Sequence, residues 1–66
     1  MRIEFNGKGV AIEIGRSLEN LLEDFKYSSE HVAVAVNGTF ISKDKRRRYV
    51  LCENDCVEVL SPMQGG

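Results

Sequence analysis

Few positions in this 66-residue sequence are spaced for chemistry, and the clearest candidate carries no side chain. The sequence closes with Ser61-Pro62-Met63-Gln64-Gly65-Gly66, directly after the largely apolar Cys56-Val57-Glu58-Val59-Leu60. Glycine has nothing to pack, bond or titrate, and it leaves the backbone unconstrained. Two of them at the end make a slender arm with a carboxylate at its tip. If the last strand ends near Leu60, the six residues beyond it reach about 20 Å when extended. Pro62 fixes its own φ and biases Ser61 toward an extended form, which stiffens the exit. Met63 and Gln64 offer side chains for a partner's groove to read, and Gly65-Gly66 have no Cβ to obstruct a narrow channel. Such an arm can deliver the Gly66 carboxylate into a partner's active site. The alternative is a frayed chain end, the usual fate of termini. On these residues alone the two readings stand level.

The remaining candidates are weaker. Cys52 and Cys56 are four apart, not in a C-x-x-C arrangement, and the single histidine leaves a zinc site short of ligands. The two cysteines flank Glu53-Asn54-Asp55 and could face each other across a hairpin. Two small half-buried hydrophobes are favoured over a disulfide, because free cysteine commonly packs that way. His31 stands alone at the start of a strand and reads as a satisfied or solvent-facing side chain. No Ser/His/Asp or Cys/His spacing occurs, nor a Gly-rich phosphate loop. The basic stretch Lys43-Asp44-Lys45-Arg46-Arg47-Arg48, followed by Tyr49, suggests a nucleic-acid or acidic-protein contact. A solvated connector is the favoured reading, since Tyr49 is its only stacking ring and single-strand binders need several. Docking to an acidic partner is the better functional alternative. No catalytic residue, metal site, cofactor or nucleic-acid site is expected, and the chain does not read as an enzyme.

The elements that must position the arm follow from periodicity. Arg2-Ile3-Glu4-Phe5 alternates as a half-buried strand does. Asn6-Gly7 is a hairpin signal, because both residues tolerate positive φ. Alternation resumes at Val10-Ala11-Ile12-Glu13-Ile14, which predicts Val10, Ile12 and Ile14 on one face, with Lys8-Gly9 lengthening the loop or forming a bulge. Ser17 is a suitable N-cap. Leu18, Leu21, Leu22 and Phe25 then form one apolar helical stripe ending around Lys26-Tyr27, with Glu19, Glu23 and Asp24 toward solvent. Val32-Ala33-Val34-Ala35-Val36 reads as an interior strand, apolar on both faces. Asn37-Gly38 marks a second turn before a short strand, Thr39-Phe40-Ile41. Val50-Leu51 suggests another brief strand, and residues 56–60 the last one, with Val57 and Val59 inward.

Hairpin, helix, strand, short strand, loop and strand make an α+β chain of the β-grasp plan, a mixed four- to five-stranded sheet packed on one main helix. Residues 1–60 form the single domain and residues 61–66 its flexible tail. With 29% charged residues, a net charge of −1 and four Ile, seven Val, five Leu and three Phe, a small soluble folded domain is expected. No stretch is long and apolar enough for a membrane span, and no signal-like segment follows Met1, so a cytoplasmic protein is expected.

A β-grasp pattern of this length, with Asn37-Gly38 after a Val/Ala strand, "ENDCVEV" near the end and a final Gly65-Gly66, resembles the ThiS family, the sulfur carriers of thiamine biosynthesis, ubiquitin-like in fold. The likeness covers essentially the whole chain, and the di-glycine end is its most specific part. Asn54 stands where the family usually has Gly, and Asn tolerates the same left-handed turn. Ser61-Pro62 is closer to the related small subunit of molybdopterin synthase, and the rich basic stretch leaves room for a carrier of another pathway. The resemblance implies that a ThiF-type enzyme uses ATP to adenylate Gly66, that the acyl group becomes a thiocarboxylate, and that thiazole synthase receives the sulfur. It implies tail recognition through Gly65, Gln64 and Met63, a monomer when free, and docking by the sheet face away from the helix together with the base of the tail. A ubiquitin-like modifier or interaction module is the competing class.

Overall fold

The computed structural model of the protein describes residues 1–61. Five strands, β1 (Arg2–Phe5), β2 (Lys8–Ala11), β3 (Ala33–Val36), β4 (Thr39–Phe40) and β5 (Cys56–Leu60), form one sheet in the order β2-β1-β5-β3-β4. The β1–β5 pair is parallel and the others are antiparallel. One helix, α1 (Leu18–Asp24), crosses a single face of this mixed sheet, and short 3-10 turns at Ser29–His31 and Lys43–Lys45 fill the connections. This is the β-grasp arrangement.

Both hairpins are closed by Asn-Gly pairs with two consecutive positive φ angles, 49° and 85° at Asn6-Gly7 and 52° and 85° at Asn37-Gly38. That geometry matches the right-handed twist of the flanking strands and permits a two-residue loop. Lys8 therefore pairs directly with Phe5, and Lys8-Gly9 belong to β2 instead of lengthening the loop. The tight turn has a downstream consequence. β1 begins next to Met1, whose ammonium donates to the Ile12 carbonyl at 2.8 Å, so no strand remains for later residues to pair with. Ile14, expected inward with Val10 and Ile12, lies instead at the turn before the helix and is 85% exposed.

Ser17 caps α1. Its hydroxyl accepts from the Asn20 N–H at 3.0 Å while the Asn20 side chain accepts from the Ser17 N–H at 3.3 Å, a reciprocal box closed by asparagine. Leu18, Leu21 and Leu22 are buried. The helix stops at Asp24, earlier than its apolar stripe predicts, because Lys26 takes φ +66°. The Tyr27 N–H then reaches the Leu22 carbonyl at 2.9 Å and the Lys26 N–H reaches Glu23 at 3.1 Å, a Schellman closure. Phe25 thus lies at the helix end and is partly exposed, yet its ring centroid remains 4.5 Å from that of Phe5.

The core lies between α1 and one sheet face: Ile3 and Phe5 of β1, Val34 and Val36 of β3, Val57 and Val59 of β5, the three helix leucines and Leu51. The expectation of β3 buried on both faces is corrected. A seven-residue helix covers one face only, so Val34 and Val36 are buried while Ala33 and Ala35 are half-buried on the open side. Val50-Leu51 is not a strand but an isolated bridge between Val50 and Ser17, with Leu51 buried and Val50 exposed. Among the described residues no helix is long and apolar enough to cross a membrane.

Candidate functional site

The open face of the sheet is the part of the fold that folding itself does not use. In β-strands, alternate residues share a face. Leu60 lies opposite Ala33, Glu58 opposite Ala35, and Phe40 on the other side of Ala35. Two small alanines therefore make the floor of a shallow groove, with Phe40 and Leu60 standing at its sides, 70% and 64% exposed. A large exposed aromatic and aliphatic pair over small residues is a surface shaped for contact. Toward β1 the face turns acidic, with Glu58 and Glu4 bracketing Cys56. Burial, and then the nearby Glu4 and Glu58 carboxylates, push the Cys56 thiol above its ordinary pKa.

Leu60 is also the base of the tail. Gly66, Gly65, Gln64 and Met63 lie outside the described residues, as does Pro62. What the structure places is the point from which they depart. The strand end is held from both sides: Leu60 pairs with Ala33, and the Asn6 side-chain carbonyl accepts from the Val59 N–H at 2.8 Å. At the opposite end of β5, the Asn37 amide donates to a buried Asp55 carboxylate at 2.9 Å and accepts from the Cys56 N–H at 2.9 Å. The second Asp55 oxygen accepts from the Cys52 N–H at 2.8 Å. The two turn asparagines thus bracket the strand that carries the tail. Sequence reasoning assigned Asn6 and Asn37 only to turns; their dual use shows only once β5 lies beside both.

Other candidates resolve differently. Cys52 and Cys56 are both free thiols, Cys52 exposed. His31 is exposed, with Nδ1 3.0 Å from the Ser28 hydroxyl. Glu23 faces solvent as expected, but Glu19 is half-buried and accepts from the Ser29 hydroxyl at 2.9 Å, and Asp24 is paired with Arg16. Among the described residues no three His, Cys, Asp or Glu side chains gather into a metal-binding group.

The basic stretch is not a uniformly solvated connector. Arg46 is 5% exposed. Its guanidinium donates to the Ser29 carbonyl at 2.7 Å, the Ser29 hydroxyl at 3.1 Å, the Val32 carbonyl at 2.9 Å and the Ile41 carbonyl at 3.3 Å. Lys43 pairs with Glu30 at 2.7 Å on the surface and lowers the pKa of that carboxyl. Lys45, Arg47 and Arg48 remain exposed.

Comparison with known proteins identifies the family. The ThiS family model matches residues 3–66, a span that includes both final glycines. The crystal structure of the thiamine biosynthesis protein ThiS from Geobacter metallireducens superposes with a TM-score of 0.85 at 28% identity, covering all of both chains. A solution structure of a thiamine biosynthesis protein from the same organism gives 0.82 at 28% identity, over all of this chain and 88% of that one. A thiazole synthase from Magnetococcus marinus is 36% identical over 66 residues, all of this chain but 20% of that protein. The chain spans about a fifth of the length of the curated relative that it matches.

Proposed function

The chain belongs to the ThiS family, and from that premise we propose that it is a sulfur carrier for the thiazole of thiamine, loaded at the Gly66 carboxylate. The observation that carries this reading is the run of the family match through Gly65-Gly66, on a fold whose open apolar groove ends where the tail begins. A carboxylate is a poor electrophile. On a ThiF-type enzyme the carboxylate oxygen attacks the α-phosphorus of ATP, releasing pyrophosphate and leaving an acyl-adenylate. The outer sulfur of a persulfide displaces AMP, and a thiol then cleaves the resulting S–S bond to release the thiocarboxylate. Thiazole synthase accepts that sulfur. The Magnetococcus marinus relative supports this partner, since a protein named a thiazole synthase contains a segment similar to this chain.

The carrier itself supplies an acyl group, an arm and a docking face, while acid–base and oxyanion chemistry belong to its partners. It acts as a cosubstrate, in the cytoplasm, and as a monomer between encounters. Met63, Gln64 and Gly65 serve recognition of the arm. Phe40, Leu60 and the alanine floor form the docking groove, and its modest size suits transient binding to two enzymes in turn.

Incubation with ATP, a ThiF-type enzyme and a persulfide donor tests the proposal. The intact mass should change by replacement of one oxygen with sulfur, mapped to Gly66. Deleting Gly66, or adding one residue after it, should abolish loading and leave thermal stability unchanged. Failure of the wild-type chain to be adenylated or thiolated sinks the reading. Conjugates on lysines of other proteins would favour a modifier.

A further inference from the structure

Residues 43–48 hold five cations and one carboxylate, which leaves four cations against nine carboxylates in the rest of the chain. A net charge of −1 therefore conceals a strongly polarised molecule. Two features distinguish this segment from a loose polar loop.

The first is its rigidity. The Lys45, Arg46 and Arg48 N–H groups donate to Ser42, Lys43 and Lys45 carbonyls at 3.0, 3.3 and 3.2 Å, winding the segment into tight turns. Arg46 fastens these turns to the body through three backbone carbonyls. With Arg46 turned inward, Lys45, Arg47 and Arg48 are exposed, and among the described residues none of them has an ion-pair partner. Glu19 and Asp44 share the cleft beside Arg47 and Arg48; Ser29 engages Glu19, and Ser42 first, with Lys45 and Arg48 acting through space, holds the Asp44 carboxyl below its ordinary pKa.

The second is its location. Arg46 Nη2 reaches the carbonyl of Val32, one residue before Ala33, the partner of Leu60. Its Nε reaches the carbonyl of Ile41, next to Phe40. Through that side chain the cationic turn, whose backbone packs at the start of α1, is tied to the end of the sheet where β3 begins and β5 finishes; its own cleft shares no residue with the groove on the open face.

We propose that Lys45, Arg47 and Arg48 engage an acidic protein surface flanking the entrance through which a partner enzyme takes in the tail. The inference rests on the carrier reading above. Its physical sense is kinetic. Exposed charges contribute little equilibrium affinity, but complementary fields raise association rates by about 10- to 1000-fold and release readily. A carrier that must visit two enzymes needs fast encounter more than long residence. A protein partner is favoured over nucleic acid because the cations have Tyr49 as the only adjacent ring in the sequence, whereas single-strand binders stack bases on several.

The test uses the full chain with the triple substitution Lys45→Glu, Arg47→Glu and Arg48→Glu, and its Gln counterpart. The probes are the purified ThiF-type enzyme and thiazole synthase of the same organism. At about 0.05 M salt the Glu variant should associate with at least one of them tenfold or more slowly than the wild type, the Gln variant less so. The gap should close near 0.5 M, where the Debye length falls to about 4 Å. Unchanged thermal midpoints establish that both variants fold. Wild-type association rates with both enzymes in both variants would overturn the proposal. So would salt-sensitive binding of a single-stranded oligonucleotide lost in the variants while enzyme binding is kept. Loading of Gly66 is read separately by mass. Charge-dependent docking without loading refutes the loading chemistry alone, and normal loading with charge-independent docking refutes this inference alone.

Discussion

Replacing Arg46 with Met keeps most of the aliphatic stem and removes every donor, so it isolates what the guanidinium contributes. Three carbonyls, of Ser29, Val32 and Ile41, lose a charged partner, and the Ser29 hydroxyl loses a fourth contact. A hydrogen bond to a charged group contributes about 1.5–3 kcal/mol net of its exchange with water, so three independent bonds would set an upper bound of roughly 5–9 kcal/mol. The loss falls below that bound because bonds that share one guanidinium, here 5% exposed, are not additive. The expected net cost is about 2–4 kcal/mol. For a chain of this length, total stability is roughly 3–10 kcal/mol by the usual per-residue scale. The variant should therefore unfold at a markedly lower urea midpoint with an unchanged slope. Arg46→Lys should fall between the two, because one ammonium cannot span three diverging carbonyls. A Met variant within about 0.5 kcal/mol of the wild type would show that the three carbonyls are satisfied by water and that the anchoring argument is wrong.

Leu22→Ala should cost about 2–5 kcal/mol in the same assay, since Leu22 is fully enclosed between helix and sheet; a smaller loss would mean the cavity collapses. Lys26→Gly should add about 0.5–1 kcal/mol, because Lys26 holds φ +66° at the Schellman position where glycine has no Cβ strain; a loss would show that the lysine stem packs. Cys56 should alkylate more slowly than Cys52 near neutral pH, with a rate that rises to a midpoint above the ordinary thiol range, because burial and two carboxylates disfavour its thiolate. Peptide mass mapping across a pH series checks this, and a Cys56 midpoint at or below the ordinary range refutes it.

Local signals account for most of the architecture. Asn6-Gly7, Asn37-Gly38 and Ser17 act through their own backbone geometry, and so they could be read without knowing what surrounds them. The alternation of Val57 and Val59 likewise named the core face of β5. Failures occurred where a distant element decided the outcome. Ile14 had the right period, but β1 had run out. Phe25 fitted the helical stripe, but Lys26 turned left-handed before the stripe was complete. Arg46 is indistinguishable from Arg47 and Arg48 in a list of residues. Only the convergence of Ser29, Val32 and Ile41 carbonyls from separate segments makes it structural. The groove was not legible, because Ala33 and Ala35 join Phe40 and Leu60 only through cross-strand register.

The placement of the core predicts that the proposed contact surface and the stability can be varied apart. All ten core residues lie on the helix side or beneath it, leaving Phe40, Leu60, Lys45, Arg47 and Arg48 exposed. Among the described residues no helix covers the sheet's second face, so apolar groups there stand to gain burial when another molecule docks. Their exposure in the isolated chain leaves that free energy unrealised until docking. Asn6 and Arg46 are the joints between the two functions: each is held by the fold and each fixes a segment beside Leu60. Substitutions at the joints should therefore lower stability and docking together, whereas substitutions at Phe40 or Arg48 should lower docking alone.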